Sequence, residues 1–298
     1  MEHEGLIRKG VGGFYTVEAD GRLFTCTARG KFRKEGVSPC AGDRVRISED
    51  GGDGAVEEIL PRRNHLTRPP LANLDRLFVV SSVREPFPDP VMLDKTIAAA
   101  ELHGIQPVVV FTKTDLEEGD PPLKQAYDLA GIPCLVVASP QGKGVEAVRA
   151  LLAGQVSAFT GNSGVGKSTL LNALFPELDL RTGAISQKLG RGRHTTREVE
   201  LYKIEEDTYV ADTPGFSTFD LTRYRLTDRE QLARGFREFL PYLGECQFTS
   251  CSHTREKGCA ILKAVREGKI AASRHESYQV MVDEVKDWRQ WQQKSKSV

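Results

Sequence analysis

The sequence shows no excess of charge of either sign, because its 298 residues carry 41 basic and 41 acidic side chains. A zero net charge gives no global argument for a nucleic-acid partner, so any such surface must be local. No apolar run approaches the roughly 20 residues that a membrane-spanning helix needs, and the charged start Met1-Glu2-His3-Glu4 lacks the apolar core of a signal peptide. We therefore expect a cytoplasmic protein with no membrane partner.

Cysteine is also scarce, with six residues in the whole chain. Three of them share a short segment with a histidine, in the order Cys246, Cys251, His253 and Cys259. In a reducing compartment this spacing favours a metal over disulfides. Three thiolates and one imidazole match a closed structural Zn²⁺ site, one per chain, with no open position for catalysis. Free buried cysteines are the alternative, and the added histidine disfavours them.

A glycine-rich stretch has the full G-x-x-x-x-G-K-S pattern of a phosphate-binding loop: Gly161, Asn162, Ser163, Gly164, Val165, Gly166, Lys167 and Ser168. A β-prone run precedes it and a helical run follows, so backbone N–H groups would converge on the β-phosphate at a helix N-terminus. Lys167 is predicted to bridge the β- and γ-phosphates in catalysis, Ser168 to bind Mg²⁺, and Thr169 to complete the nucleotide contacts. The chain is predicted to bind a nucleoside triphosphate rather than to form a chance turn.

A second motif follows the buried strand predicted at 107–111, with the sequence Thr112-Lys113-Thr114-Asp115. It looks like the guanine-specificity motif Asn-Lys-x-Asp, in which one carboxylate accepts both the N1–H and the N2 amino group of guanine. Adenine has no such pair, so Asp115 would discriminate against ATP. Ala138-Ser139 is predicted as a second base-contacting turn. Thr112 replaces the usual Asn, which leaves open how the contacts of that Asn are made.

Two further motifs follow the phosphate loop. The basic stretch Gly190–Arg197 is predicted to be a switch loop, in which Thr195 or Thr196 would complete the Mg²⁺ shell; an ordinary exposed basic loop is the alternative. A strand over 208–211 then leads into a D-x-x-G motif, in which Asp212 would hold Mg²⁺ through water and the Gly215 N–H would contact the γ-phosphate.

The residue after this glycine is Phe216, where Ras-like enzymes carry a glutamine that orients the attacking water. Phenylalanine has no group for that task. We therefore predict that His194, in the switch loop, is catalytic and positions the water.

Residues 1–66 alternate short β-type runs with turn signals, which predicts a five-stranded barrel of the OB-fold type. A basic segment around one ring lies in the long connection before Arg44 and comprises Arg29, Lys31, Phe32, Arg33 and Lys34. Charge for phosphate and a ring for stacking suit RNA. A solvated basic loop remains open on the sequence alone.

From Leu74 onward strands alternate with helices, which predicts an α/β domain with a parallel sheet. The base motif precedes the phosphate loop, the reverse of the usual order in G proteins, and a circular permutation explains this. We expect an OB barrel over 1–66, a circularly permuted P-loop GTPase domain over 67–221 and a mostly helical zinc-binding domain over 222–298. The polar tail 292–298 is predicted to fray.

Together these motifs resemble the RsgA family of circularly permuted GTPases. The resemblance is carried by Gly161–Thr169, Gly190–Arg197, Asp212–Phe216 and the Cys/His spacing. It implies a monomer that binds GTP and GDP, hydrolyses GTP when stimulated by the small (30S) ribosomal subunit and its 16S rRNA, and releases from the subunit late in its maturation. An ATP-dependent transport or kinase module, and an RNA-binding module with a nucleotide switch, are the competing interpretations.

Overall fold

The structure is a computed structural model that describes residues 1–30, 32, 36–50, 53–67, 70–176, 199–212 and 229–295. Its strands are β1 Glu2–Val11, β2 Phe14–Ala19, β3 Arg22–Ala28, β4 Arg44–Asp50, β5 Asp53–Ile59, β6 His65–Thr67, β7 Pro70–Ala72, β8 Arg76–Ser82, β9 Gln106–Thr112, β10 Cys134–Val136, β11 Val156–Thr160, β12 Glu200–Glu205 and β13 Thr208–Asp212. Its helices are α1 Pro90–Leu102, α2 Lys124–Leu129, α3 Val145–Leu152, α4 Lys167–Leu174, α5 Arg229–Arg234, α6 Ala260–Arg266 and α7 Ala272–Ser295.

Strands β1 to β5 close into a barrel. Its strand order is β1-β2-β3-β5-β4, and β4 returns to pair with β1. All of these pairings are antiparallel except that between β3 and β5. Alternate residues point inward because side chains on a strand alternate between its two faces, so that Val17, Phe24, Val45 and Ile47 fill the core. The predicted OB-fold barrel is therefore confirmed.

The chain divides into two compact units. The first contains Met1–Leu77, Glu146–Thr160 and Lys167–Ser217, and the second contains Phe78–Val145, Gly161–Gly166 and Thr218–Val298. In the first unit the sheet runs β11-β13-β12-β1 and continues into the barrel. In the second, β10 pairs in parallel with β9, and β9 lies beside β8.

Strands β8 and β9 read as continuous apolar runs, and their central residues are buried. This pattern is typical of parallel sheets, whose strands are covered on both faces. The helices of the second unit form a core around α1, with Ala98, Leu232, Phe236, Phe239 and Tyr278 among its members. None of the described helices is long and apolar enough to span a membrane.

The ends of two helices have clear local causes or outcomes. Helix α1 begins at Pro90, because Asp89 caps it by accepting a hydrogen bond from the Met92 amide at 3.1 Å and proline suits the first helical position. Helix α7 continues to Ser295, so the predicted fraying is wrong for residues 292–295.

Candidate nucleotide site and metal centre

The predicted phosphate loop lies between β11 and α4, as its sequence pattern requires. Gly161, Gly164 and Gly166 have positive φ angles of 156°, 81° and 83°. At Gly161 a Cβ atom would lie 2.4 Å from the Val80 carbonyl oxygen, so a side chain is excluded there. Helix α4 begins at Lys167, which directs its first backbone N–H groups toward the loop.

The loop is open to solvent where a phosphate would lie. Asn162, Ser163 and Gly164 are exposed, and so are Ser168 and Thr169 in the first turn of α4. Val165 is buried and anchors the loop. Lys167 is half-buried. Exposed backbone at a helix N-terminus is the arrangement that binds a phosphate group.

The strand that carries the D-x-x-G motif runs parallel to the strand before the phosphate loop. Ala211 of β13 pairs with Ala158 of β11, so Asp212 ends β13 at the level where β11 reaches Phe159. Ligands of open α/β sheets bind beyond the carboxyl ends of the strands. The backbone therefore brings Asp212 to the edge at which β11 leads into Gly161.

Thr112 joins the base motif to the phosphate loop. Its side chain is buried, and its hydroxyl donates to the Val165 carbonyl. The same hydroxyl lies 3.3 Å from the Ser81 carbonyl. A Cβ atom on Gly166 would lie only 3.4 Å from the Thr112 hydroxyl oxygen. The Thr112 hydroxyl thus contacts the phosphate loop at the position where the motif usually has an Asn side chain.

Lys113 and Asp115 occupy a tight turn after β9. Lys113 has a left-handed backbone with φ 57°, an uncommon conformation for a residue other than glycine and one that clusters at functional sites. Its ammonium donates to the Glu85 carbonyl. Asp115 lies in a short 3-10 turn over Thr114–Leu116 and is exposed. Its carboxylate is open to a ligand from solvent.

The second base-contacting turn lies beside this motif. The Thr114 amide reaches the Val137 carbonyl at 3.5 Å, and the Val137 amide donates to the Phe111 carbonyl at 2.8 Å. The Ala138 amide is engaged with the Lys143 carbonyl at 3.0 Å. Ser139 begins the 3-10 turn that follows.

Sequence reasoning missed one segment of this site, the turn after β8. The Ser82 hydroxyl donates to the Pro86 carbonyl at 2.6 Å, which folds the turn back. The Glu85 carbonyl then accepts from Lys113, and the Pro86 ring lies 3.7 Å from the position of a Cβ atom on Gly164. The alternating prolines of this segment, directly after a buried strand, were the signal that pointed to a shaped turn.

The four predicted zinc ligands come together. Their ligand atoms, on Cys246, Cys251, His253 and Cys259, all lie within 4.8 Å of one another. The Sγ atoms of Cys246 and Cys259 are 3.8 Å apart, and the His253 Nδ1 lies 3.5 and 3.6 Å from them. A tetrahedral Zn²⁺ ion with bonds of about 2.3 Å to sulfur and about 2.0 Å to nitrogen separates its ligands by about 3.8 and about 3.5 Å. The residues fit this ion.

Hydrogen bonds hold the loop that carries these ligands. The Tyr278 hydroxyl donates to the Ser252 carbonyl at 3.0 Å, and His275 Nε2 lies 2.8 Å from the His253 carbonyl. Burial raises the pKa of Glu256, but hydrogen bonds from the Ser252 hydroxyl and amide and from the Arg255 amide outweigh it and lower the pKa to about 2. Burial lowers the pKa of His253, which favours the neutral imidazole that binds a metal.

The structure describes two residues of the predicted RNA-binding segment, Arg29 and Phe32. Phe32 is 5% exposed and packs in the barrel core, so its assignment as a stacking ring is wrong. A single aromatic residue in a basic segment does not reveal whether its ring points inward. Arg29 is largely exposed and pairs with Glu57 at 2.5 Å. Lys31, Arg33 and Lys34 lie outside the described residues.

The predicted switch residues lie mostly outside the part of the chain that the structure describes. His194, Thr195, Thr196 and Gly215 lie outside the described residues, and so does Phe216. Of Asp212 only the backbone position is described.

A phosphate loop, a base motif that precedes it in the chain and a D-x-x-G strand that pairs in parallel with the strand before the loop define a circularly permuted GTPase. The family described as RsgA GTPase matches residues 59–222, and the RsgA N-terminal domain matches residues 4–56. The chain belongs to the RsgA GTPase family, and its activity is GTP hydrolysis.

Relatives and solved structures match nearly the whole chain. The small ribosomal subunit biogenesis GTPase RsgA of Moorella thermoacetica is 43% identical over 284 residues, 95% of this chain and 97% of the relative. That of Shouchella clausii is 43% identical over 290 residues, 95% of this chain and 98% of the relative. The crystal structure of YjeQ from Thermotoga maritima matches with a TM-score of 0.83 and 34% identity, over 96% of this chain and 99% of that one. YloQ, described as a circularly permuted GTPase, matches with a TM-score of 0.79 and 30% identity, over 96% of both chains.

Proposed function

We propose that this GTPase acts as a monomer in the cytoplasm, binds the small (30S) ribosomal subunit through its 16S rRNA, and leaves the subunit when GTP is hydrolysed late in subunit maturation. The observation that carries the proposal is the match to small ribosomal subunit biogenesis GTPases over 95% of the chain. That match includes the barrel, the nucleotide site and the cysteine cluster together. We assign contacts to RNA phosphates to the exposed Arg29 and to Lys31, Arg33 and Lys34.

In the nucleotide site we assign guanine recognition to two turns. The exposed Asp115 carboxylate accepts both donors of the guanine edge. Because the Ala138 amide already donates to Lys143, the amide that meets the guanine O6 is that of Ser139. The stem of Lys113 lies over the base, and Thr112 holds this turn against the phosphate loop.

We assign phosphate binding to the phosphate loop and the first turn of α4. The N–H groups of residues 161–169 cradle the phosphates, and Lys167 offsets the charge that develops at the γ-phosphate. Ser168, Asp212 and one of Thr195 and Thr196 would hold Mg²⁺, which neutralises charge between the phosphates when it is bound. The Gly215 amide senses the γ-phosphate.

Water positioning is assigned to His194, because Phe216 offers no polar group. His194→Ala should lower kcat by roughly 10²–10⁴, the usual effect of a positioned acid–base group. Nucleotide affinity should change little. Single-turnover hydrolysis with saturating small subunits measures this, and wild-type turnover in the variant would remove His194 from the mechanism.

Guanine selectivity offers a second test. Asp115→Asn should shift preference from GTP toward xanthosine triphosphate, whose extra carbonyl replaces the amino donor. Glu117→Gln removes an exposed carboxylate two residues further on and should leave selectivity unchanged. Competition binding measures both variants. Equal affinity of the wild type for ATP and GTP would contradict the assignment.

The decisive experiment measures GTP turnover with and without purified small subunits, together with co-sedimentation. We expect turnover to rise with subunits, and the GTP-analogue form to sediment with them more than the GDP form, because a switch ordered by the γ-phosphate completes the RNA surface. Equal sedimentation of the two forms would contradict the switch. Unchanged turnover would contradict stimulation.

A further inference from the structure

The first strand of the barrel extends the hairpin formed by β12 and β13. Strand β1 pairs antiparallel with β12, and Lys9 lies opposite Glu200. In the next pair of strands Glu200 lies opposite Asp212. One row across three strands therefore joins Lys9 of the barrel to the aspartate of the D-x-x-G motif. The Lys9 ammonium and the Glu200 carboxylate form an ion pair of 2.8 Å along this row.

This row lies where both switch segments join the hairpin. Strand β12 begins at Glu200, just after the predicted switch loop, and β13 ends at Asp212, just before the rest of the D-x-x-G motif. Strand β1 continues from Lys9 to Val11 and then reaches the turn at Gly12 and Gly13. That turn joins β1 to β2.

The hairpin is also anchored to the barrel from the next residue onward. Arg8 donates to the Leu201 carbonyl at 2.6 Å and lies 5.2 Å over the ring of Tyr209. Glu18 pairs with Arg8 at 2.6 Å, pairs with Lys203, and lies 3.4 Å from the Tyr209 hydroxyl. The side chains of Arg8 and Glu18 are only 17% and 12% exposed. This anchor is therefore largely buried, and it begins at Leu201, one residue from Glu200.

The pair at the switch end is more open. The Lys9 and Glu200 side chains are 35% and 37% exposed. A half-exposed ion pair is weak, so a modest change in the barrel or in the switch segments alters its geometry. The anchor at Leu201 keeps the barrel attached, and the weaker Lys9–Glu200 pair beside it lies next in the chain to the predicted switch loop.

We propose that Lys9 and Glu200 are positioning residues that couple the barrel to GTP hydrolysis. RNA bound by the barrel would hold β1, the ion pair holds the start of β12, and β12 follows the predicted switch loop directly in the chain. The inference rests on the proposed function, because it requires the ribosomal subunit to stimulate the enzyme. Coupling between two sites acts in both directions, so the bound nucleotide also alters how the barrel is held.

The test compares two lysines that pair with carboxylates across the same interface. Lys9→Met and Glu200→Gln should each lower the ratio of subunit-stimulated to unstimulated turnover by up to about fivefold, the most that a half-exposed ion pair supplies. Unstimulated turnover and melting temperature should stay close to wild type. The double exchange Lys9→Glu with Glu200→Lys should restore the ratio. Lys203→Met, three residues further along β12 and paired with Glu18, should leave it unchanged.

The outcomes separate this inference from the function on which it rests. If small subunits do not stimulate the wild-type enzyme, both the proposed function and this inference are wrong. Stimulation that persists in both single variants would overturn the inference alone. An equal loss in Lys203→Met would also overturn it, because the effect would then belong to barrel attachment in general. Failure of the exchanged pair to restore stimulation would show that the charges do not act as a pair.

Discussion

The barrel meets the β12–β13 hairpin along a single strand edge, whereas the C-terminal segment shares a buried core with helix α1. At the barrel, backbone pairing of β1 with β12 is flanked by ion pairs such as Lys9–Glu200, both partly open to water. At the C-terminal segment, Phe236, Phe239 and Tyr278 pack with alanines of α1. The chain uses a strand edge to attach one flanking region and a common interior to attach the other.

Arg274 shows how completely the second contact is buried. Its side chain is 1% exposed, pairs with Asp94 of α1 at 2.5 Å and with Glu238 at 2.7 Å, and lies 4.6 Å over the ring of Phe236. Burial disfavours its charge, but the carboxylates of Asp94 and Glu238 outweigh this and raise the pKa of Arg274. The guanidinium is therefore charged. If Arg274 is replaced by a neutral residue, the carboxylates of Asp94 and Glu238 remain buried without their cation.

The difference between the two contacts concerns motion. Packed interiors have few alternative arrangements and transmit displacement, so the C-terminal segment must move together with α1 and the base motif that follows it. The Lys9–Glu200 pair at the barrel edge is half-exposed, so we expect the barrel contact to rearrange more easily than the C-terminal core.

Removal of the metal should have the largest effect, which is unfolding of the C-terminal segment around the cysteine cluster. Structural zinc contributes on the order of 10 kcal/mol to the folding of small domains. Cys251→Ser should release zinc and unfold residues 246–259, while the GTPase part still binds nucleotide. Metal analysis and melting curves measure this, with Cys134→Ser, outside the cluster, as the control. Purified protein without zinc, and melting that chelators leave unchanged, would refute the site.

The buried charge network should show the next largest effect. Arg274→Met strands Asp94 and Glu238 in the interior, and breaking a buried pair in this way costs about 3–5 kcal/mol. Lys95→Met removes a cation of α1 that pairs at 2.6 Å with the more exposed carboxylate of Glu284, and should cost about 1 kcal/mol or less. Urea unfolding compares the two variants. Equal losses would mean that complete burial of the Arg274 network adds nothing to the cost of breaking it.

The smallest effect belongs to the barrel edge. Lys203→Met removes the cation that pairs with Glu18 and should lower the free energy of unfolding by about 0.2–1 kcal/mol, because the Lys203 side chain is 38% exposed. The loss should shrink in about 1 M salt, where the screening length is near 3 Å. Urea unfolding of variant and wild type at low and high salt measures it. A loss as large as that of Arg274→Met would contradict the difference between the barrel edge and the buried C-terminal core.

Contiguous motifs were predictable because local chemistry dictates them. The glycines at 161, 164 and 166 are required by backbone conformation or by close approach, so their spacing was enough to place the loop. The zinc ligands also lie within one short segment, and their spacing matched the geometry of one ion. Phe32 shows the limit of such reasoning, since no local pattern states which way a ring in a basic segment points.

The sequence by itself determined the barrel, the order of the nucleotide motifs and the metal cluster, because each is encoded in residues that are neighbours in the chain. Tertiary structure alone decided that Thr112 reaches Val165, that Ser82 and Glu85 shape the turn beside Lys113, and that Lys9 shares a row with Glu200. These contacts join residues far apart in the chain, and strand register sets them. Register follows from the packing of whole sheets, which no single segment of sequence contains.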